Sequence, residues 1–354
     1  MKKILLASTA LVMTAGIAAA EIKLSGSAEM GIVGGGNDNI NFATDGETQF
    51  HNDLTLSVEA TGETDTGLSF GVSFDFSKED EGNENGNIVL DNEAAFISGA
   101  YGTLTLGEID GAMDWAITET TGNPGTIGDD ETMHAGYLGA FGDGAYDNQI
   151  LRYDYAMGDF AFAVSAEMDD TGERDAGYAV GVKYNTDMGG IGLGLGLAYQ
   201  SFELGNSKDG ATAIVSSWLP GNIADFAGVT SDTSYTLDGI ADVDVVAVSA
   251  TADFNNGFKA GIAYSDWQSE VGGVTLLDFT QTQISAGYET GPYAIGANYG
   301  IYDIDNGPEI EGWGIAASYD LGGGAKVHAG YADSDADGVD RSFETWSLGV
   351  AMSF

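Results

Sequence analysis

Leu68-Ser69-Phe70-Gly71-Val72-Ser73-Phe74-Asp75-Phe76 alternates without a break: every even residue is apolar and every odd one small or polar. A period of two belongs to an extended strand with one apolar and one polar face. Phe160, Phe162, Val164, Ala166 and Met168 repeat the pattern around Ala161, Ala163, Ser165 and Glu167, as do Tyr178 to Tyr184 and Phe258 to Tyr264. Ile191, Leu193, Leu195 and Leu197 alternate with Gly192, Gly194 and Gly196, and Trp346, Leu348, Val350, Met352 and Phe354 keep the same rhythm. No stretch of comparable length has a helical period.

Composition narrows what such strands can build. The 354 residues carry 55 Asp and Glu against 11 Lys and Arg, a formal charge of −44, and no cysteine. That charge excludes nucleic acid as a partner, because a phosphate polyanion would be repelled. A mean hydropathy of −0.04 excludes a bundle of membrane helices, each of which needs about 20 mostly apolar residues in a row. Without cysteine there are no disulfides, zinc–thiolate sites or thiol nucleophiles. Yet 43% of residues are hydrophobic and 10% aromatic, too many for a disordered acidic tail. Ahead of the strands, Lys2 and Lys3, an apolar run from Ile4 to Val12 and then Ala18-Ala19-Ala20 have the order of a secretory signal peptide, with residues 1–20 cleaved before Glu21. The mature 21–354 reads as one domain, with nine basic residues against 55 acidic ones.

Half-polar strands suit a soluble sandwich with a wet outside or a membrane barrel with a wet inside. Three features select the barrel. Most of the sixteen alternating segments run about ten to twelve residues, the length that crosses a bilayer at a tilt, whereas globular strands average about five or six. Connections alternate between tight turns (Gly158, Asn255-Asn256, Thr290-Gly291, Gly322 to Gly324) and long ones at 109–146 and 203–242; membrane barrels pair short periplasmic turns with long external loops. Aromatics also bracket the tight turns: Tyr155 and Phe160, Phe254 and Phe258, Tyr288 and Tyr293. Amphipathic rings at that depth make an interfacial girdle.

These strands, the signal peptide, the long acidic third loop and the ending Ser347-Leu348-Gly349-Val350-Ala351-Met352-Ser353-Phe354 together resemble a Gram-negative general diffusion porin. The opening Glu21-Ile22-Lys23-Leu24-Ser25-Gly26-Ser27-Ala28-Glu29-Met30-Gly31 and the stretch Tyr101-Gly102-Thr103-Leu104-Thr105-Leu106-Gly107-Glu108 are similar to alphaproteobacterial porins of the Rhodobacter type. The resemblance spans the mature chain. It implies a 16-stranded antiparallel transmembrane β-barrel whose third loop folds into the lumen. It further implies a homotrimer in the outer membrane, among lipid and lipopolysaccharide, that passes small hydrophilic solutes. The alternatives are a substrate-selective channel and, from a different class, a surface adhesin or structural barrel.

With Phe76, Tyr155, Phe162 and Phe354 facing lipid, parity turns Lys23, Arg152, Lys183, Lys259, Lys326 and His328 toward the lumen. A cation in mid-membrane hydrocarbon would cost about 2 to 4 kcal/mol, so the four lysines and Arg152 are candidate wall cations. The loop at 109–146 carries Asp110, Asp114, Glu119, Asp129, Asp130, Glu131 and Asp143 without a basic residue, and Glu108 precedes it. Inside the lumen its carboxylates would face wall cations such as Arg152, Lys23 and Lys326, and rings of charge select ions. A cation-preferring pore is the expectation; an external, solvated acidic loop is the plainer alternative. Outward Gly26, Ala28 and Gly99 suit close contact between barrel walls.

No cofactor is required by these patterns, but Asp333-x-Asp335-x-Asp337-Gly338-x₅-Glu344 spells a calcium loop. Its flanks read as strands rather than helices, so an EF-hand is excluded. A calcium-binding hairpin loop and a plain acidic surface loop stay open, with Glu344 the doubtful ligand. His51, His134 and His328 lack metal-ligand spacing, and no catalytic residue is assigned.

Overall fold

In the computed structural model, residues 21–35, 47–78, 88–127, 134, 136, 141–146, 148–204, 240–275, 277–337 and 342–354 are described. The expected signal peptide 1–20, the loop residues Asp129, Asp130 and Glu131, Gly338, and residues 205–239 of the longest connection lie outside them.

One antiparallel sheet holds every strand. β1 (Glu21–Gly35), β2 (Gln49–Glu63), β3 (Ser69–Lys78), β4 (Ile88–Gly99) and β5 (Gly102–Gly107) precede a short helix, α1 (Ala112–Ala116). β6 (Ile150–Met157), β7 (Phe160–Glu167), β8 (Gly177–Asp187), β9 (Gly192–Leu204), β10 (Ala241–Asp253) and β11 (Phe258–Val271) follow. After β12 (Val274–Thr275) come β13 (Phe279–Thr290), β14 (Tyr293–Ile304), β15 (Glu309–Gly322), β16 (Ala325–Ala336) and β17 (Ser342–Ser353). β12 is a two-residue piece folded back on β11, which pairs directly with β13, so the wall has sixteen staves. β1 pairs with both β2 and β17 and closes the wall on itself. Closure leaves no unpaired edge, as a sheet surrounded by hydrocarbon requires.

The register sorts the alternation onto two faces. Leu195, Leu197, Val246, Val248 and Ile262 are exposed on one, while Ala198, Ala247 and Ala263 are buried on the other. Tight turns use residues that accept a left-handed backbone: Gly158 (φ 63°) between β6 and β7, Asn255 (φ 55°) between β10 and β11. At this turn end Phe160 meets Tyr184 (ring centres 4.7 Å apart), Phe254 meets Phe258 (5.4 Å) and Tyr293 meets Tyr319 (5.0 Å). The opposite end carries a second belt that the alternation does not announce. Tyr178 lies 6.2 Å from Tyr199, and Trp313 lies 5.7 Å from Tyr331. There three tyrosine hydroxyls donate to carboxylates: Tyr199 to Asp244 (2.6 Å), Tyr299 to Glu311 (2.5 Å) and Tyr331 to Glu344 (2.6 Å).

Beyond this second belt the faces exchange character. Asp242, Asp244, Asp303, Glu309 and Glu311 take the outward positions, while Val243, Val245, Ile304 and Ile310 between them are buried inside. Phe141, Trp267, Phe279 and Tyr302 stack in series on that inner side, with centres 6.2, 5.2 and 5.8 Å apart. The buried apolar cluster therefore sits within the barrel, where α1 and Phe141 meet the wall.

Three details go beyond the sequence reading. The alternation reads the fourth strand at about 92–100; β4 instead begins at Ile88, and its register with β3 shifts beside Asn92, which has φ 53°; a bulge there switches which parity faces inward. At Gly26 and Gly99 an added Cβ would lie 3.1 Å from the Phe354 ring and 2.6 Å from Leu68 Cδ2, contacts within the chain that do not bear on packing between barrel walls. The third concerns the calcium expression. β16 runs through Ala336, with Asp333 directly opposite Glu344 and Asp335 opposite Ser342. Asp333 and Asp335 thus stand on a strand rather than in a loop, and alternate residues there are about 7 Å apart along the strand. Their ladder with β17 prevents the wrapping that a loop would allow.

Candidate functional site

Ala112-Met113-Asp114-Trp115-Ala116 contains no β-branched residue and forms one helical turn, ended by the extended Ile117 (φ −90°, ψ 142°). This turn is seated on inward glycines. A Cβ on Gly181 would lie 2.2 Å from the Ala112 carbonyl oxygen, and one on Gly196 2.3 Å from that of Ala116. Inward hydroxyls then accept the main-chain N–H groups that α1 and the following chain cannot pair internally. Ala112 donates to Ser165 Oγ (2.8 Å), Thr118 to Ser249 Oγ (3.0 Å) and Thr121 to Ser285 Oγ (2.6 Å). Further on, His328 Nδ1 meets the Gly125 carbonyl at 2.9 Å. A Cβ on Gly31 or Gly349 would meet Ile127 Cδ1 at 2.3 or 2.4 Å. The segment 111–127 thus lies along the inner face of the wall, from β7 to β17 and β1.

Its far end returns to the start. Asp143 accepts from the Gly111 N–H through Oδ2 (2.5 Å) and from Gln200 Nε2 through Oδ1 (2.8 Å), while Gln200 Oε1 accepts from the Gly142 N–H (2.9 Å). Glu167 Oε1 holds the Tyr146 and Asn148 N–H groups at 3.2 and 2.8 Å. Arg174 lies 4.3 Å over the Tyr146 ring and donates to the Ala145 carbonyl. Burial, and the Asp114 carboxylate behind it, push Asp143 up to about 7. Burial followed by Asp110 also raises Asp114.

Charges are arranged differently from the expected opposition of loop acids and wall bases. Lys23 pairs with Glu59 (3.8 Å), Arg152 with Asp154 (3.6 Å) and Lys259 with Asp253 (3.9 Å), each with a carboxylate of the wall itself. Arg152 reaches the segment through the Asp110 carbonyl, not its carboxylate. Lys183 Nζ rests 4.3 Å over the Trp115 ring, a cation–π contact. Lys326 sits level with Asp320 beside the Gly322 to Gly324 turn, away from α1. Glu108 is outside the seat as well, accepting from the Asn92 N–H (3.1 Å) and from Asn148. Residues 112–127 are seated chiefly by main-chain bonds to Ser165, Ser249 and Ser285 and by close contact with inward glycines.

A cavity of about 990 Å³ remains between the segment and the turn ends of β7 to β11. Asp114, Glu119, Asp159, Asp187 and Asp253 line it against a single cation, Lys259. Elsewhere, Gly67-Leu68-Ser69-Phe70-Gly71 has the spelling of a nucleophile elbow, but Ser69 opens β3 and no helix follows it. Among the described residues no group of three His, Cys, Asp or Glu could hold a metal ion.

Comparisons with known proteins agree with this geometry. The family described as Gram-negative porin matches residues 7–339. A porin of Rhodobacter capsulatus is 32% identical over 94% of this chain and 100% of its own. Among solved structures, a porin refined at 1.8 Å is 25% identical with a TM-score of 0.63, covering 94% of this chain and all of that one. OmpT of Vibrio cholerae, an outer-membrane protein solved in its trimer form, shares the fold at 12% identity and a TM-score of 0.64, over 95% of this chain and all of that one. A closed wall of sixteen staves, a lipid-type outer face and matches along nearly the whole length leave one conclusion: this chain belongs to the Gram-negative porin family, as a non-enzymatic channel of the outer membrane.

Proposed function

We propose that this porin passes small hydrophilic solutes with a preference for cations, through a bore narrowed by the 109–146 segment. The observation that carries the reading is the cavity beside that segment, where five carboxylates face one lysine. Carboxylates in a low-dielectric cleft concentrate counter-ions, and rings of charge select by sign. A salt-gradient reversal potential across planar bilayers should be cation-selective. Changing Asp110, Asp114 and Glu119 to their amides together should reduce the preference, most strongly at low salt where screening is weak. An anion-selective potential in the wild type would overturn the reading, and absence of ohmic conductance would favour a structural barrel instead.

The assembly is a homotrimer among outer-membrane lipid and lipopolysaccharide; the trimer form solved for OmpT supports the first part. The outward carboxylates beyond the second aromatic belt support the second, since divalent cations such as calcium can bridge them to anionic headgroups. Asp333, Asp335 and Asp337, with Glu344 opposite Asp333, belong to that acidic rim. Calcium here acts between protein and lipid rather than as a required cofactor.

A further inference from the structure

Tyr146 ends the inserted segment, and it is gripped from another loop. Residues 168–176 join β7 to β8 beyond Tyr178 of the second aromatic belt, on the side of the long connections that face the exterior in membrane barrels. Asp169 organises this turn. Its Oδ2 accepts from Thr171 Oγ1 (2.6 Å) and from the Glu173 and Arg174 N–H groups (2.9 Å each), and its Oδ1 holds Arg174 Nη2 at 3.0 Å. The guanidinium fixed in this way reaches two groups of the segment. Nη1 donates to the Ala145 carbonyl (3.2 Å), and Cζ lies 4.3 Å over the Tyr146 ring. A planar fork can stack on a ring while its edge donates, which a point-charge ammonium cannot match. The phenol is held as well: its hydroxyl donates to the Asp175 carbonyl (2.6 Å) and accepts from the Glu203 N–H of β9 (3.0 Å). Glu203 Oε2 in turn takes the Asp175 N–H (2.6 Å). An ion pair at a surface contributes little to stability, so Arg174 and Asp169 would matter little if they held only each other. Here the remaining donors of the cation are directed at the segment.

We propose that Arg174 is a positioning residue of the constriction: the turn at 168–176 is a clasp that fixes the outgoing end of the inserted segment from outside the bore. This rests on the reading that the segment narrows the bore. The rest of the segment is tied differently. α1 and the chain to Thr121 bond to Ser165, Ser249 and Ser285 of the wall, and Arg152 holds the incoming end through the Asp110 carbonyl. Asp143 joins the outgoing end to Gly111 at the start of α1, so movement at Ala145 and Tyr146 is passed to the narrow part. Opening the clasp therefore leaves α1 on its glycine and serine seat but frees the end that returns to the rim. The signature is brief changes of conductance around an unchanged main level.

The test is single-channel recording of the full porin in planar bilayers, reading the frequency of brief sub-conductance steps. Arg174→Leu and Tyr146→Leu should each raise it several-fold, and the double variant no further than the larger single effect, because both open one contact. Arg174→Lys keeps a charge over the ring but loses the fork, so it should fall between wild type and Arg174→Leu. Asp169→Asn should also raise the frequency, although the hydrogen bonds of Asp169 among the described residues stay within its own turn. It should add nothing once Arg174 is leucine. The urea midpoint of unfolding should stay at the wild-type value throughout, since the clasp lies beyond the paired wall. A wild-type step frequency in Arg174→Leu, additive effects in the double variant, or a rise matched by lost stability overturns the proposal. If Arg174→Leu does not assemble, Arg174→Lys and Asp169→Asn decide, and unchanged frequencies in both overturn it. Gly196→Ala, which presses on α1 itself, separates the two readings. Unaltered main conductance there removes the narrowed-bore reading and the clasp with it. Altered conductance there, with silent Arg174 variants, removes the clasp alone.

Discussion

The two ends of the same strands obey opposite rules. Near the tight turns, β10 shows lipid Val246 and Val248 and turns Ser249 inward; near its other end it shows Asp242 and Asp244 outward and buries Val243 and Val245. β15 repeats the exchange, from outward Ile315 and Tyr319 to outward Glu309 and Glu311 around a buried Ile310. Parity assigns a side chain to a face, but the medium that the face meets changes with height. Hydrocarbon ends at the belt where Tyr199, Tyr299 and Tyr331 donate to carboxylates, and protein replaces water inside at the level of Phe141 and Trp267.

The sharpest way to break this contrast is to place a charge on the apolar side at each height. Ile310→Asp would bury a carboxylate on the inner side of the acidic end, where the side chain is fully enclosed. An unpaired buried charge costs about 3 to 5 kcal/mol, so unfolding in urea from lipid should show the largest loss of the series. A loss below that of an outward substitution would mean the inner face at that level is wet. Val248→Arg comes next. It puts a cation on the outward face of β10 at mid-strand, with an expected loss of about 2 to 4 kcal/mol; a neutral result would place Val248 outside hydrocarbon. Asp335→Asn should do least. It relieves an acid directly across from Glu311 on β15, and like charges in that position are destabilising, so a gain of under about 0.5 kcal/mol is expected without divalent ions. If the variant loses stability only when calcium is present, the rim carboxylates are bridging that ion.

Much of this was legible in the residues. Most strand positions, the closed wall and the turn-side girdle follow from Leu68 to Phe76 and its repeats, because a period of two leaves few architectures once every edge must be paired. Gly192, Gly194 and Gly196 alternate with outward apolar residues, and Gly196 receives Ala116 on the inner face. The seat itself was hidden. Ser165, Ser249 and Ser285 look like any polar-face residues, and only their long-range N–H donors, 53 to 164 positions away, single them out. The expected ion pairs between loop and wall misled for the same reason: Lys23 and Lys259 had nearer carboxylates on adjacent strands, and register is invisible in a list of charges.

Sequence by itself determined the class of molecule: an intensely acidic chain of amphipathic strands, with the apolar face continuous enough for hydrocarbon and no helical rival. Tertiary structure decided where that face stops, which strands residues 111–127 lie against, and that Asp143 accepts from both Gly111 and Gln200. The division has a physical cause. Alternation is local, set by successive Cβ atoms pointing to opposite faces, whereas the seat, the clasp and the exchange of faces depend on which distant groups share a height in the closed barrel.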